Sequence, residues 1–172
     1  MEGPLRVLGI DPGGRATGWG LVESRGGVLS CAGCGTIRAQ GALPERLRSI
    51  HARLGEIIAR YHPDEAAFEE VFLARNFQSA LSLGEARGVA LLAAAQAGLP
   101  VFEYSAAEVK KAVTGYGRAD KAQVQAMVRR LLSLPTDAPA AAQPAADAAD
   151  ALAVAICHHH SRQLTALGAA TP

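Results

Sequence analysis

The chain has 172 residues and a net charge of +1, a length that suits one domain burying about 70% of the surface its unfolded form exposes. No run of about 20 uninterrupted apolar residues occurs and no basic-then-apolar leader opens the chain, so neither a membrane span nor a signal peptide is expected and the protein reads as cytoplasmic. The three cysteines, Cys31, Cys34 and Cys157, are an odd number and too few for a disulfide framework.

Leu5 to Ile10 reads as a continuously apolar strand, followed after Gly-rich turns by strands over Gly18 to Glu23 and Val28 to Arg38. The "CAGC" pair falls within the third of these. There, residues three apart point to opposite faces, so both cysteines read as ordinary strand residues rather than as a metal or redox site. Leu43, Leu47, Ile50, Leu54, Ile57 and Tyr61 recur at helical spacing and mark one amphipathic helix. "HPDEAAFEEVF" is a turn and a fourth strand ending near Glu69 or Glu70. Asn76 or Ser79 then caps a helix that stops near Gly98, with Phe77 as its hydrophobic staple and Ala80, Gly84 and Gly88 at intervals of four. "LPVFEY" is a fifth strand. Helices over Ala106 to Val113 and Asp120 to Leu132 follow, then a Pro/Ala loop, and a last helix from about Ala145 through His160, with a frayed tail beyond. "CHHH", Cys157 to His160, reads as a polar helix end, because consecutive helical residues radiate around the axis and cannot converge on a metal.

The order β-β-β-α-β-α-β-α predicts a three-layer α/β domain with a five-stranded mixed sheet, its first strand central. We assign residues 1–165 to this single domain and 166–172 to a flexible tail.

Charge is unevenly distributed. Between Ser105 and Leu132 six bases, including Lys110 and Lys121, outnumber two acids, whereas from Leu134 to His160 the only charged side chains are Asp137, Asp147 and Asp150. Asp11 closes the first strand just before Pro12, Gly13 and Gly14, Glu69 and Glu70 close the fourth, and Asp147 and Asp150 sit i, i+3 at the start of the last helix. Sites in α/β sheets form outside the carboxyl ends of the strands, so three separated segments are expected to bring carboxylates to one spot. Each acid alone is an ordinary turn, strand-end or cap residue. Together, uncompensated, they would repel or take up protons, and a divalent cation removes that cost. An all-oxygen donor set suits Mg²⁺, or Mn²⁺ in its place, over zinc. Two ions about 4 Å apart would stabilise both oxygens of an in-line phosphoryl displacement, and the glycines after Asp11 leave room for a phosphate backbone.

"GIDPG", "TGWG", "FEEVF", "SALSLGEARG", "PVFEY" and "DAADALA", in this order from about Arg6 to His160, resemble the RuvC family of Holliday-junction resolvases within the ribonuclease H-like superfamily. The resemblance implies a symmetric homodimer that cuts four-way DNA junctions with Mg²⁺ by paired nicks during recombination and repair, alongside the branch-migration proteins RuvA and RuvB. It implies Asp11, Glu69, Asp147 and Asp150 as catalytic and metal-binding acids, with Glu69 chosen over Glu70 because the family's acid lies three residues before the aromatic matching Phe72. It further implies Phe72, Lys110 and Lys121 as DNA-binding residues, Phe72 stacking on a base and the lysines approaching phosphates, and a dimer helix carrying Ala80, Gly84 and Gly88. The sequence departs from the family pattern at Gly14, where many relatives carry a hydroxyl residue, and in a longer loop over Thr136 to Pro144. Two other readings remain open at this point. One is an actin-like or sugar-kinase-like ATPase, whose phosphate loop "GIDPGG" also resembles but whose second half is missing. The other is a junction-binding module without catalysis.

Overall fold

The computed structural model describes residues 3–70, 77–135 and 143–168. Three antiparallel strands come first: β1 (Leu5–Asp11), β2 (Ala16–Arg25) and β3 (Val28–Arg38). They are followed by α1 (Leu43–Tyr61), β4 (Glu65–Glu69), α2 (Phe77–Gln96), β5 (Val101–Tyr104), α3 (Ala106–Thr114), α4 (Lys121–Leu131) and α5 (Ala146–Ala166). The sheet order is β3-β2-β1-β4-β5, with β4 parallel to β1 and to β5. The helical crossovers thus put β1 in the centre, as the element order predicts.

Alternation along the strands divides the core into two layers. Leu8, Ile10, Leu21, Ala66 and Phe68 face α1 and α2, whereas Val7, Val22 and Ala67 face α3, α4 and α5. The second helix layer comes so close because the sheet beneath it has been stripped of side chains. A Cβ on Gly9 would lie 2.0 Å from the Ala151 carbonyl oxygen, one on Gly18 2.0 Å from that of Asp147, and one on Gly20 2.6 Å from Leu152 Cγ. Three glycines on neighbouring strands form a trench in which the backbone of α5 rests directly on β1 and β2. Real side-chain carbons do not approach other atoms this closely, so the trench requires glycine.

Four expectations from the sequence need correction. First, the helix α5 continues to Ala166 rather than fraying after His160. Second, "CHHH" is not a polar end: Cys157, His158 and His159 are buried, and the three imidazoles each bind a different element. The His158 ring bridges the Tyr104 hydroxyl (2.6 Å) and the Glu65 carboxylate (2.5 Å), His159 Nε2 lies 3.0 Å from the Val22 carbonyl, and His160 Nδ1 2.9 Å from that of Ala112. Arg162 pairs with the other Glu65 oxygen. Burial pushes His158 and His159 below their ordinary pKa, so both rings are neutral polar cross-links. The helical fan that keeps them off a common metal instead spreads them over α3, β2, β4 and β5.

Third, Phe77 is the first residue of α2 and is 81% exposed, so it staples nothing among the described residues. Ser79 lies inside the helix rather than at its cap, and Asn76 lies outside the described residues. Fourth, the cysteines of "CAGC" do not face opposite ways. Val22 pairs with Cys31 but Leu21 pairs with Gly33, so Ala32 is the extra residue of a β-bulge. One bulge resets the alternation, and Cys31 and Cys34 both pack towards the α5 layer.

Candidate active site

The pleat decides where the acids go. Ile10 and Phe68, opposite each other in the parallel β1–β4 ladder, point into the α1–α2 layer, so the next residues, Asp11 and Glu69, point to the α5 side at the carboxyl ends of adjacent strands. Glu70 follows the end of β4 and is exposed, while Glu69 is half-buried. Across the β1–β2 ladder Asp11 pairs with Gly18, and it is on Gly18 that the backbone of Asp147 sits. Asp147 is the second residue of α5, past the N-cap Ala145, so it does not cap the helix; Asp150 follows one turn on. Both lie where the helix dipole favours an ionised carboxylate.

Electrostatics register this gathering. The Asp11 carboxyl is pushed up from 3.8 to about 7, chiefly by burial and then by the charges of Asp150, Glu69 and Asp147, with Lys121 opposing. Glu69 is raised by burial and by Asp150, while Lys110 and Lys121 pull it back. Lys121, the first residue of α4, reaches across to Asp150 with its Nζ 2.8 Å from Oδ2. That hydrogen bond and the charges of Asp150, Asp11 and Asp147 hold its ammonium above the ordinary lysine range. Asp11, Glu69, Asp147, Asp150, Lys110 and Lys121 therefore share one electrostatic neighbourhood built by β1, β4, α3, α4 and α5. Phe72 and the loop over 136–142 lie outside the described residues.

A hard divalent cation fits this set. The donors are carboxylate oxygens, and Asp11 is raised first by burial and then by the charges of three neighbouring acids, both of which a bound cation would offset. Among the described residues no three His, Cys, Asp or Glu side chains stand at ligating distance of a single point. Carboxylates of like charge stay apart until a cation draws them together.

Two neighbouring features escape sequence reading. The space that a side chain at Gly14 would take is held by Ser82 of α2, whose Oγ would lie 2.2 Å from a Cβ there. Beside that loop Arg15, Arg46, Gln78 and Ser82 line a cleft of about 680 Å³, with Arg46 Nε donating to the Gly14 carbonyl at 3.0 Å. The only sequence signal for Arg46 is a base in the first turns of α1, which reads as an ordinary solvated face.

Fold and site together define a ribonuclease H-like nuclease domain: a mixed five-stranded sheet whose central parallel strands and final helix deliver acids to one edge. The family model described as crossover junction endodeoxyribonuclease RuvC matches residues 7–158. This chain belongs to the RuvC family, whose members are metal-dependent nucleases. The crossover junction endodeoxyribonuclease RuvC of Magnetococcus marinus is 53% identical over 162 residues, covering 93% of this chain and 87% of its own length. That of Shewanella frigidimarina is 54% identical over 164 residues, with 94% and 91% covered. A solved structure of T. thermophilus RuvC in complex with Holliday junction substrate matches with a TM-score of 0.83 at 34% identity, covering 94% of this chain and 96% of that one. Among the described residues no helix is long and apolar enough to cross a membrane.

Proposed function

We propose that this crossover junction endodeoxyribonuclease resolves four-way DNA junctions by metal-dependent hydrolysis of one phosphodiester in each of two opposed strands, with Asp11, Glu69, Asp147 and Asp150 as its catalytic, metal-holding residues. The observation that carries the reading is the charge coupling of Asp11 to the other three acids, the four together coming from three separate segments, β1, β4 and α5. Mg²⁺, or Mn²⁺ in its place, is the cation that an all-carboxylate set favours, with two ions per site. Bound there, the ions would supply positive charge to the attacking and leaving oxygens of an in-line displacement. The protein does the rest. Asp11 and Glu69 are fixed by the sheet, Asp147 and Asp150 by a helix seated in a glycine trench, so the backbones that carry the acids are in place before metal and substrate arrive. Lys121 orients Asp150, and with Lys110 it presents positive charge to the scissile strand. Phe72, just past β4, is the residue we assign to base stacking at the junction centre. The cleft of Arg15 and Arg46 offers a path for the strand leaving the site.

Two cuts need two sites, and a two-fold dimer supplies them on a two-fold substrate. A face of α2 supports this: Ala86, Ala90, Ala93 and Ala94 pack inwards, while Phe77, Leu81 and Leu92 are exposed and nothing lies within 4 Å of a Cβ on Gly84 or Gly88. We assign this face to the homodimer contact. RuvA and RuvB, which the family resemblance implies, are the partners we assign to presenting the junction. The deciding experiment incubates a synthetic four-way junction with purified protein and Mg²⁺. Symmetric nicks in opposed strands are expected, and binding without cutting would reduce the protein to a junction-binding module.

A further inference from the structure

Cys31 and Cys34 take part in none of this chemistry, yet the bulge at Ala32 has brought them together. Their β2 partners, Val22 and Gly20, are two residues apart, so the cysteines occupy successive positions on one face of the sheet. Both are partly buried on the edge strand β3, close enough for each to perturb the ionisation of the other. Cys34 also opens on a cavity of about 320 Å³ lined by Leu134, Pro135, Pro144, Ala145 and Ala148. Cys31 is outside that lining but is itself only partly buried on the edge strand, which leaves it open to a small oxidant from solvent. Cys157, by contrast, is fully buried.

We propose that Cys31 and Cys34 are a redox-sensitive modification site that closes to an intramolecular disulfide on reaction with a peroxide. The two thiols are not equivalent. Cys31 is drawn down to about 7 by the hydrogen bond from Cys34 and, against burial, by the Gly33 backbone, whereas Cys34 is raised by the same hydrogen bond, by burial and by the Cys31 charge. Cys31 is accordingly the attacking thiolate. It takes one peroxide oxygen as the O–O bond breaks, giving a sulfenic acid while the leaving oxygen picks up a proton. The Cys34 sulfur then attacks Cys31 sulfur. The S–O bond breaks and hydroxide leaves with the Cys34 proton as water. Both thiols are oxidised by one electron each, and hydrogen peroxide is reduced to two waters.

The test uses the full chain. Trypsin cuts after Arg25 and Arg38, so one peptide, residues 26–38, holds Cys31 and Cys34 and neither termini nor Cys157. After a small excess of hydrogen peroxide, this peptide should lose two hydrogens, resist alkylation and recover both thiols with dithiothreitol. Cys157→Ser should behave like the unmodified chain, and Cys31→Ser or Cys34→Ser should lose the product entirely. A peptide that stays fully alkylatable, gains only oxygen atoms, or cross-links to a second chain would overturn the assignment. The unmutated chain alone decides these outcomes, so misfolding of a cysteine variant does not obscure them.

Discussion

Lys121 Nζ stands 2.8 Å from Asp150 Oδ2, tying the first residue of α4 to the second acid of α5. The same ammonium lowers the pKa of Asp11 and Glu69. Lys121→Met should therefore cut junction cleavage by about 10²-fold, the usual consequence of losing one oriented charge at a developing oxyanion. It should also move the acidic limb of the pH–rate profile to higher pH, because Asp11 and Glu69 lose a group that favours their ionised forms. A lysine that touched only DNA would change the salt dependence of binding and leave the pH profile in place.

Asp11 gives a second prediction, with a defined sign. Its carboxyl titrates near 7 in the folded protein against 3.8 ordinarily, so between these values the folded state holds the proton more tightly. Stability from this residue is thus fully present below about pH 4 and declines as pH rises through 7. With metal chelated, Asp11→Asn should stabilise the protein by about 2–4 kcal/mol at pH 8 and hardly at all at pH 4. Thermal denaturation at the two pH values reads this directly. Adding Mg²⁺ at pH 8 should stabilise the parent more than the variant, and cleavage by the variant should be lost.

Glu69→Gln, Asp147→Asn and Asp150→Asn should each lower cleavage by about 10²–10³-fold while structure-selective binding of the junction persists. Glu70→Gln should cut normally, since Glu70 is exposed beyond the end of β4. Gel-shift and cleavage assays on the same junction separate the two properties. An active Glu69→Gln enzyme would move the assignment to Glu70.

The glycines divide into two groups with opposite expected behaviour. Gly9→Ala or Gly18→Ala forces a methyl to within 2.0 Å of a backbone oxygen of α5 and should cost about 3 kcal/mol, read by urea unfolding. Gly84→Ala meets open space and should leave the monomer as stable or up to about 1 kcal/mol more so, through helix propensity. Gly84→Glu should instead shift sedimentation towards monomer and suppress the second nick, because it charges the face assigned to the dimer.

Much of this was readable in the sequence, and for identifiable reasons. Apolar runs bounded by Gly-rich turns located β1 to β3, and the 3.6-residue recurrence of Leu47, Ile50 and Leu54 located α1, because both patterns follow from local geometry. Asp11 stood out because an acid ending a buried strand is costly without a purpose. What escaped depended on contacts between distant segments. A bulge leaves no periodic signature until the partner strand fixes the register, so strict alternation puts Cys34 on the wrong face. Likewise, His158 and His159 look polar as letters, yet Glu65, Tyr104 and the Val22 carbonyl make them core residues. Nothing in the chain near Arg46 announces that it will reach the Gly14 loop.

The helix α5 is fastened at both ends by unlike materials. Its first two turns carry Asp147 and Asp150, and about 16 Å beyond Asp147 along its axis the imidazoles of His158 and His159 moor it to three strands, one of them through Arg162's partner, Glu65. A substitution at Glu65 or Tyr104 would slacken that mooring and let the acids drift, although neither is one of the four acids. Variants that lose resolution are thus expected to map to Glu65, at the opposite end of β4 from Glu69, as well as to the reaction centre, and ranking them by distance from the scissile phosphate would misjudge them.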